Sequence, residues 1–180
     1  DAFFSLQKPL AILIEPNSIG STFPSNVVGQ IVGQVVKTGE LLNGPVELDL
    51  YDDEGNRITV IDLTRALAGP HAAQMLGDQG ARVIKVETPG TGDDTRSWGP
   101  PFVGGEEHIS TYYLSCNRNK ESIALDLKDE ADKAVLEGMV RKADVLMENF
   151  RTGVMDKLGI GYEALSAINP KLIYCAVSGF

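Results

Sequence analysis

Three polar segments carry the residues able to do chemistry. The first, Thr64-Arg-Ala-Leu-Ala-Gly-Pro70, reads as a turn from a strand into a helix. Gly69 permits close approach there, and free N–H groups at a helix start favour an anion. It lacks the spaced glycines of a dinucleotide-binding turn. The second, Thr88 to Phe102, holds Asp93, Asp94, Arg96, the only Trp and three prolines. A long loop in a compact domain is usually functional or disordered, and this composition favours a binding surface. The third, Asn117-Arg-Asn-Lys-Glu-Ser122, places Arg118 and Lys120 together in an acidic chain, although alone it reads as a solvated turn. Asp93, Asp94 and Glu148 stand near this rim without a partner of obvious spacing, and each reads as structural more readily than catalytic. His71 and His108 have no Cys or Ser in a nucleophile arrangement, and Cys116 and Cys175 read as small buried hydrophobes.

The elements that position these segments follow from periodicity. Ile58–Leu63, Arg82–Glu87, Glu121–Leu127, Asp144–Glu148 and Lys171–Val177 read as strands. Between them, Pro70–Gln79 reads as a helix with Pro in its first turn and Gly80 after its end. Asp129–Ala143 reads as a helix capped by Asp129, with Ala131, Val135 and Met139 on one face beside Leu136, Val140 and Ala143. Gly153–Leu158 and Tyr162–Ile168 read as short helices, and Thr88–Glu107 as a loop. Repeated strand–helix–strand units predict an α/β fold, a doubly wound and mostly parallel sheet with helices on both faces. The three polar segments then fall at the carboxyl ends of strands, where such sheets bind ligands.

Residues 1–54 read differently. Apolar pairs at Val27/Val28, Ile31/Val32 and Val35/Val36 predict a helix over 25–38, with the five valines making a strand the rival. Val46–Tyr51 and Arg57–Leu63 flank Asp52-Asp-Glu-Gly-Asn56 as a β-hairpin would. That hairpin competes with the parallel sheet for the strand near Ile58, so one of the two readings must yield.

Composition narrows the function. The chain has 180 residues, 43% hydrophobic and 23% charged, which suits a globular domain with its own core. Sixteen basic against twenty-five acidic residues give a net charge of −9, which argues against nucleic acid or an anionic lipid surface as a partner. No apolar run is long enough to span a membrane. Two distant cysteines suggest neither a disulfide framework nor a metal site, and point to a reducing compartment.

From about residue 55 the chain resembles the class III CoA-transferase family, which includes formyl-CoA and carnitine CoA-transferases and α-methylacyl-CoA racemase. The resemblance rests on Val60-Ile-Asp-Leu-Thr-Arg-Ala-Leu-Ala-Gly-Pro70, Leu76–Glu87, Gly92-Asp-Asp-Thr-Arg96 with Trp98-Gly-Pro-Pro-Phe102, and Asn117-Arg-Asn-Lys120. Ala143–Phe150, Leu158–Glu163, and Asn169–Cys175 with Ser178-Gly-Phe180 complete the set, in family order. It implies an incomplete Rossmann-like domain over 55–180, coenzyme A or acyl-CoA as substrate and no metal. By position Leu67, Ala68, Thr88, Leu125, Asn149 and Lys157 match family CoA contacts. Thr88 and Lys157 stand where the family often has Arg, which softens phosphate binding because Arg offers two donors at once.

The family's chemistry passes through an aspartate, whose carboxylate attacks the donor thioester and then carries CoA as an enzyme-bound thioester. That aspartate lies shortly after the Ser-Gly-Phe segment in the family. The resemblance therefore implies a CoA-binding portion without the nucleophile, inactive alone, from an enzyme moving CoA between carboxylic acids, dicarboxylates favoured. The alternatives are a catalytically dead structural or interaction subunit and a simple CoA-binding module. A protein partner or a second copy is expected over the sheet's open surface. The mitochondrial matrix or a bacterial cytoplasm is the expected compartment.

Overall fold

The structure, a computed structural model, describes residues 11–14, 48–51, 55–104 and 108–178. The chain divides into two compact units. One contains β1 (Ala11–Ile14) and β2 (Leu48–Tyr51), which pair antiparallel with Ala11 opposite Tyr51. The helix expected over 25–38 lies outside the described residues.

The other unit, Thr59–Asp78 with Arg82–Phe180, holds the parallel sheet. Its strands are β3 (Thr59–Asp62), β4 (Arg82–Glu87), β7 (Lys120–Ala124), β8 (Val145–Glu148) and β9 (Ile173–Ala176). They lie in the order β7-β4-β3-β8-β9, each pair parallel. The expected α/β fold class is therefore the one observed. Of the expected hairpin, Thr59–Asp62 lies between β4 and β8 in the parallel sheet and Leu48–Tyr51 pairs with β1, while residues 46, 47 and 52–54 lie outside the described residues. Two buried parallel neighbours on β3 outweigh a local turn, because burial on both faces stabilises more than a two-stranded ribbon.

Counted from β3, the chain visits the sheet in the order 3-2-1-4-5. The direction of winding reverses between β3 and β8, and ligands of open α/β sheets bind in the crevice outside such a reversal.

Helices cover both faces because Val60 and Ile61, adjacent on β3 and so facing opposite ways, are both fully buried. Helix α1 (Ala68–Asp78) packs against β3 and β4 on the Val60 side, where Gly77 lies close to Val83. On the Ile61 side, α3 (Glu130–Val140) contributes Leu136 and Val140, and α5 (Tyr162–Ile168) contributes Leu165, to one core with Leu146 and Leu172. Asp129 caps α3 through the N–H groups of Ala131 and Asp132. Of the apolar positions expected along this helix, Leu136, Val140 and Ala143 are buried and Met139 packs against them, whereas Val135 is 45% exposed and Ala131 is also exposed.

The stretch expected as a single loop is partly ordered structure. A 3₁₀ turn, Asp94–Ser97, is followed by the short antiparallel pair β5 (Phe102–Val103) and β6 (Ile109–Ser110). Helix α2 (Thr111–Asn117) follows, unanticipated from the sequence. Its seven residues are too few for a visible 3.6-residue period, but Ser110 caps it by accepting from the Tyr113 N–H.

Candidate ligand site at the carboxyl edge of the sheet

The ends of β3, β4 and β7 carry buried charges, each with an opposite partner. Lys85, 1% exposed, lies 2.8 Å from the Asp93 carboxylate and donates to the Thr64 carbonyl at 2.8 Å. Lys120 reaches Asp62 at 2.8 Å, and both side chains are almost wholly buried. A buried charge without a partner costs several kcal/mol, so these pairs make the edge rigid rather than reactive. Burial acts to raise the Asp93 carboxyl, yet Lys85 and Thr95 outweigh it and hold it below the usual range. Burial pushes the Lys120 ammonium down, against the pull of Asp62.

Glu87, at the end of β4, anchors the loop that follows. It accepts from Arg96 twice, at 2.6 and 2.7 Å, from Ser122 at 2.7 Å, from the Asp93 N–H at 2.9 Å and from Tyr113 at 3.1 Å. Burial opposes its charge, but these donors prevail and hold the carboxyl at about 2. The Arg96 guanidinium also stacks over the Tyr113 ring, 3.9 Å from its centre.

The β3–α1 turn is the most constrained backbone at this edge. Asp62 accepts from the Thr64 N–H at 2.9 Å and from the Thr64 hydroxyl. Ala66 holds a left-handed φ of 66°, a conformation that costs a non-glycine residue about 1 kcal/mol. Asn149, just after β8, offsets that cost by bracketing the preceding residue: Oδ1 accepts from the Arg65 N–H and Nδ2 donates to the Arg65 carbonyl, both at 2.8 Å. The Cys116 thiol lies 3.5 Å from the Ala66 carbonyl. Gly69 packs against Thr64 so closely that any Cβ would overlap that side chain.

The residues matched to CoA contacts distribute unevenly. Leu67, 50% exposed, and Ala68, also exposed, stand on the β3–α1 turn. Thr88 accepts from Arg65 Nη2 at 2.9 Å, so Thr88 and Asn149 meet through Arg65. Leu125 is 5% exposed and packs in the core, while its N–H bonds the Glu87 carbonyl. Lys157 is exposed on the short helix α4 (Val154–Lys157).

The solvated turn expected at Arg118 and Lys120 is the reading that changes. Lys120 is interior rather than part of a solvated turn, and Arg118 pairs with Asp78 at 2.6 Å. Glu148 is buried and accepts from the Phe150 N–H at 2.8 Å. Cys116 is buried, Cys175 half-buried, and burial pushes both thiols up, away from reactive thiolates. Among the described residues no group of His, Cys, Asp and Glu could hold a metal ion. No described helix is long and apolar enough to cross a membrane.

Sequence reasoning passed over Arg65. Besides its bond to Thr88, its guanidinium lies 5.5 Å from the centre of the Phe150 ring and 3.6 Å from the Asp94 carboxylate. Its position in the turn after β3 was the available signal. Its convergence with Thr88 and Asn149 needed the fold.

A Rossmann-type reversal point lined by these motifs has counterparts of known structure. A CAIB/BAIF family protein from Brucella suis superposes with a TM-score of 0.65 at 50% identity, covering 68% of this chain and 32% of that one. The human succinyl-CoA:glutarate CoA-transferase is 52% identical over 123 residues, and the acetyl-CoA:oxalate CoA-transferase of Acetobacter aceti 58% identical over 123 residues. Each of these matches covers 68% of this chain, which spans only 27% and 31% of those two relatives. The profile of CoA-transferase family III matches residues 56–180, so the strands, the bracketed turn and the polar edge are those of a family member: this chain belongs to CoA-transferase family III.

Proposed function

We propose that residues 56–180 form the CoA-binding portion of an enzyme that moves CoA between carboxylic acids. The observation that carries this reading is the clasp of Arg65 by Asn149 across the sheet's reversal point, which holds the turn bearing the exposed Leu67 and Ala68. Dicarboxylates are favoured as acceptors, since the similar proteins are named for glutarate and for oxalate. Asp62, Glu87 and Asp93 are all buried and paired, so none offers an open carboxylate to a thioester. Asp94 is exposed but stands 3.6 Å from Arg65, whose charge makes it a weaker nucleophile, so the reading kept for these 180 residues is binding without acyl transfer.

The exposed Trp98, Val103 and Leu114 support a covering protein surface, either a partner or a second copy of the chain. Trp98 and Tyr112, their ring centres 5.1 Å apart, line an open groove of about 400 Å³ with Pro100 and Pro101. The unpaired thiols suit a reducing compartment such as the mitochondrial matrix or a bacterial cytoplasm.

Calorimetric titration of the 180-residue chain with CoA tests the binding role, and saturable heat is expected. Absence of heat above mixing refutes it. Incubation with succinyl-CoA and glutarate is expected to yield no glutaryl-CoA, and turnover would refute the assignment of binding alone.

A further inference from the structure

The cations held by the strand ends differ sharply in what they have left to offer. Lys85 and Lys120 are buried against Asp93 and Asp62. Arg96 spends two nitrogens on the buried Glu87 and its face on Tyr113. Arg65 is otherwise placed. Its main chain is locked on both sides by Asn149, next to the strained Ala66, while its side chain is 39% exposed and holds one hydroxyl, Thr88 Oγ1. Its one counter-charge among the described residues is Asp94, at 3.6 Å and 66% exposed. That distance is well beyond the roughly 2.7–2.9 Å of a charge-assisted hydrogen bond.

We infer that Arg65 is an oxyanion anchor of the ligand site and that Asp94 is its resident competitor, a carboxylate that the incoming oxyanion displaces. The inference rests on the proposed CoA-binding role and adds to it a specific recognition pair. A guanidinium suits a phosphate or carboxylate because its planar N–H groups meet two oxygens at once. The backbone clasp fixes where the side chain starts. The loose, solvated carboxylate leaves it neutralised but not committed: Asp93, Thr95 and Arg96 hold the 3₁₀ turn in place, and only the exposed Asp94 side chain has to give way. The Phe150 ring lies 5.5 Å from the guanidinium carbon, and the 39% exposure of the side chain gives a ligand access to it. The oxyanion is either a phosphate of the nucleotide or the carboxylate of an acid substrate.

The test is a set of dissociation constants measured by calorimetry on the 180-residue chain, with CoA, inorganic pyrophosphate and succinate as separate probes. Asp94→Asn is expected to tighten CoA about two- to fivefold, the range that loss of an exposed ion pair allows. Arg65→Ala is expected to weaken CoA at least tenfold, and Arg65→Lys to weaken it less. In the Arg65→Ala background the gain from Asp94→Asn should vanish. Glu137→Gln, on the part of α3 that runs back toward the amino ends of the strands, changes net charge equally and should leave affinity unchanged. Tightening by Asp94→Asn toward pyrophosphate assigns the anchor to phosphate, and toward succinate to the acid; either supports the pair. Unchanged CoA affinity in Asp94→Asn, an equal gain in Glu137→Gln, or a gain that persists without Arg65 would overturn the inference while leaving CoA binding intact. Failure of the unaltered chain to bind CoA overturns both.

Discussion

Asn149 holds Arg65 from both sides. One side-chain amide accepts the Arg65 N–H and donates to the Arg65 carbonyl, each at 2.8 Å, across 84 positions of sequence. The two residues follow β8 and β3, the strands between which the sheet reverses its winding. The bond pair therefore joins the two lips of the crevice at the sheet's reversal point, and it steadies the left-handed Ala66 that precedes the exposed Leu67 and Ala68.

Replacing that amide separates positioning from folding. Asn149→Ala removes two hydrogen bonds to a half-exposed backbone and should lower stability by about 1–2 kcal/mol. The affinity for CoA should fall about tenfold, because the turn loses its imposed geometry. Calorimetry beside a urea melt checks both. An affinity loss no larger than that of an exposed-surface control would refute the positioning role.

Gly69 is a test of space. A methyl group there overlaps Thr64, which is fully buried and held by Asp62. Thr64 cannot retreat without breaking its bond to Asp62 and displacing the carbonyl that Lys85 uses. Gly69→Ala should therefore cost about 2 kcal/mol and weaken CoA binding. A thermal melt unchanged within about a degree contradicts the packing described.

Glu87 gives the molecule an acid limit. Its folded carboxyl sits at about 2, below the ordinary 4.5, so its ionised form is favoured in the folded chain. The stabilisation is complete above about 4.5 and is lost as the pH falls toward 2. The difference corresponds to roughly 3 kcal/mol at most. Urea denaturation from pH 6 down to pH 2.5 should show stability falling with acid. Glu87→Gln should be less stable at pH 6 and show a shallower fall. Parallel curves for the two proteins would count against the Glu87 network as the cause.

Local residue patterns were enough to set the alternation of elements. Arg82–Glu87 is a strand with the expected limits, and Asp129 caps its helix as its side chain type requires. Those signals are local: an apolar period, a capping oxygen, a glycine where φ is positive. The family motifs added the expectation of a CoA site.

The tertiary structure decided which partners met. Thr59–Asp62, read along the chain as an arm of a hairpin or as a strand of the parallel sheet, pairs with β4 and β8, because a central strand gains burial on both faces. Lys120 reads as a solvated cation until Asp62, 58 positions earlier, closes over it. Arg65 reads as one residue of a turn until Thr88, Asp94 and Asn149 surround it from three other segments. Charges find their counterparts through space rather than along the chain. The site is therefore a property of the sheet order, which no single segment encodes.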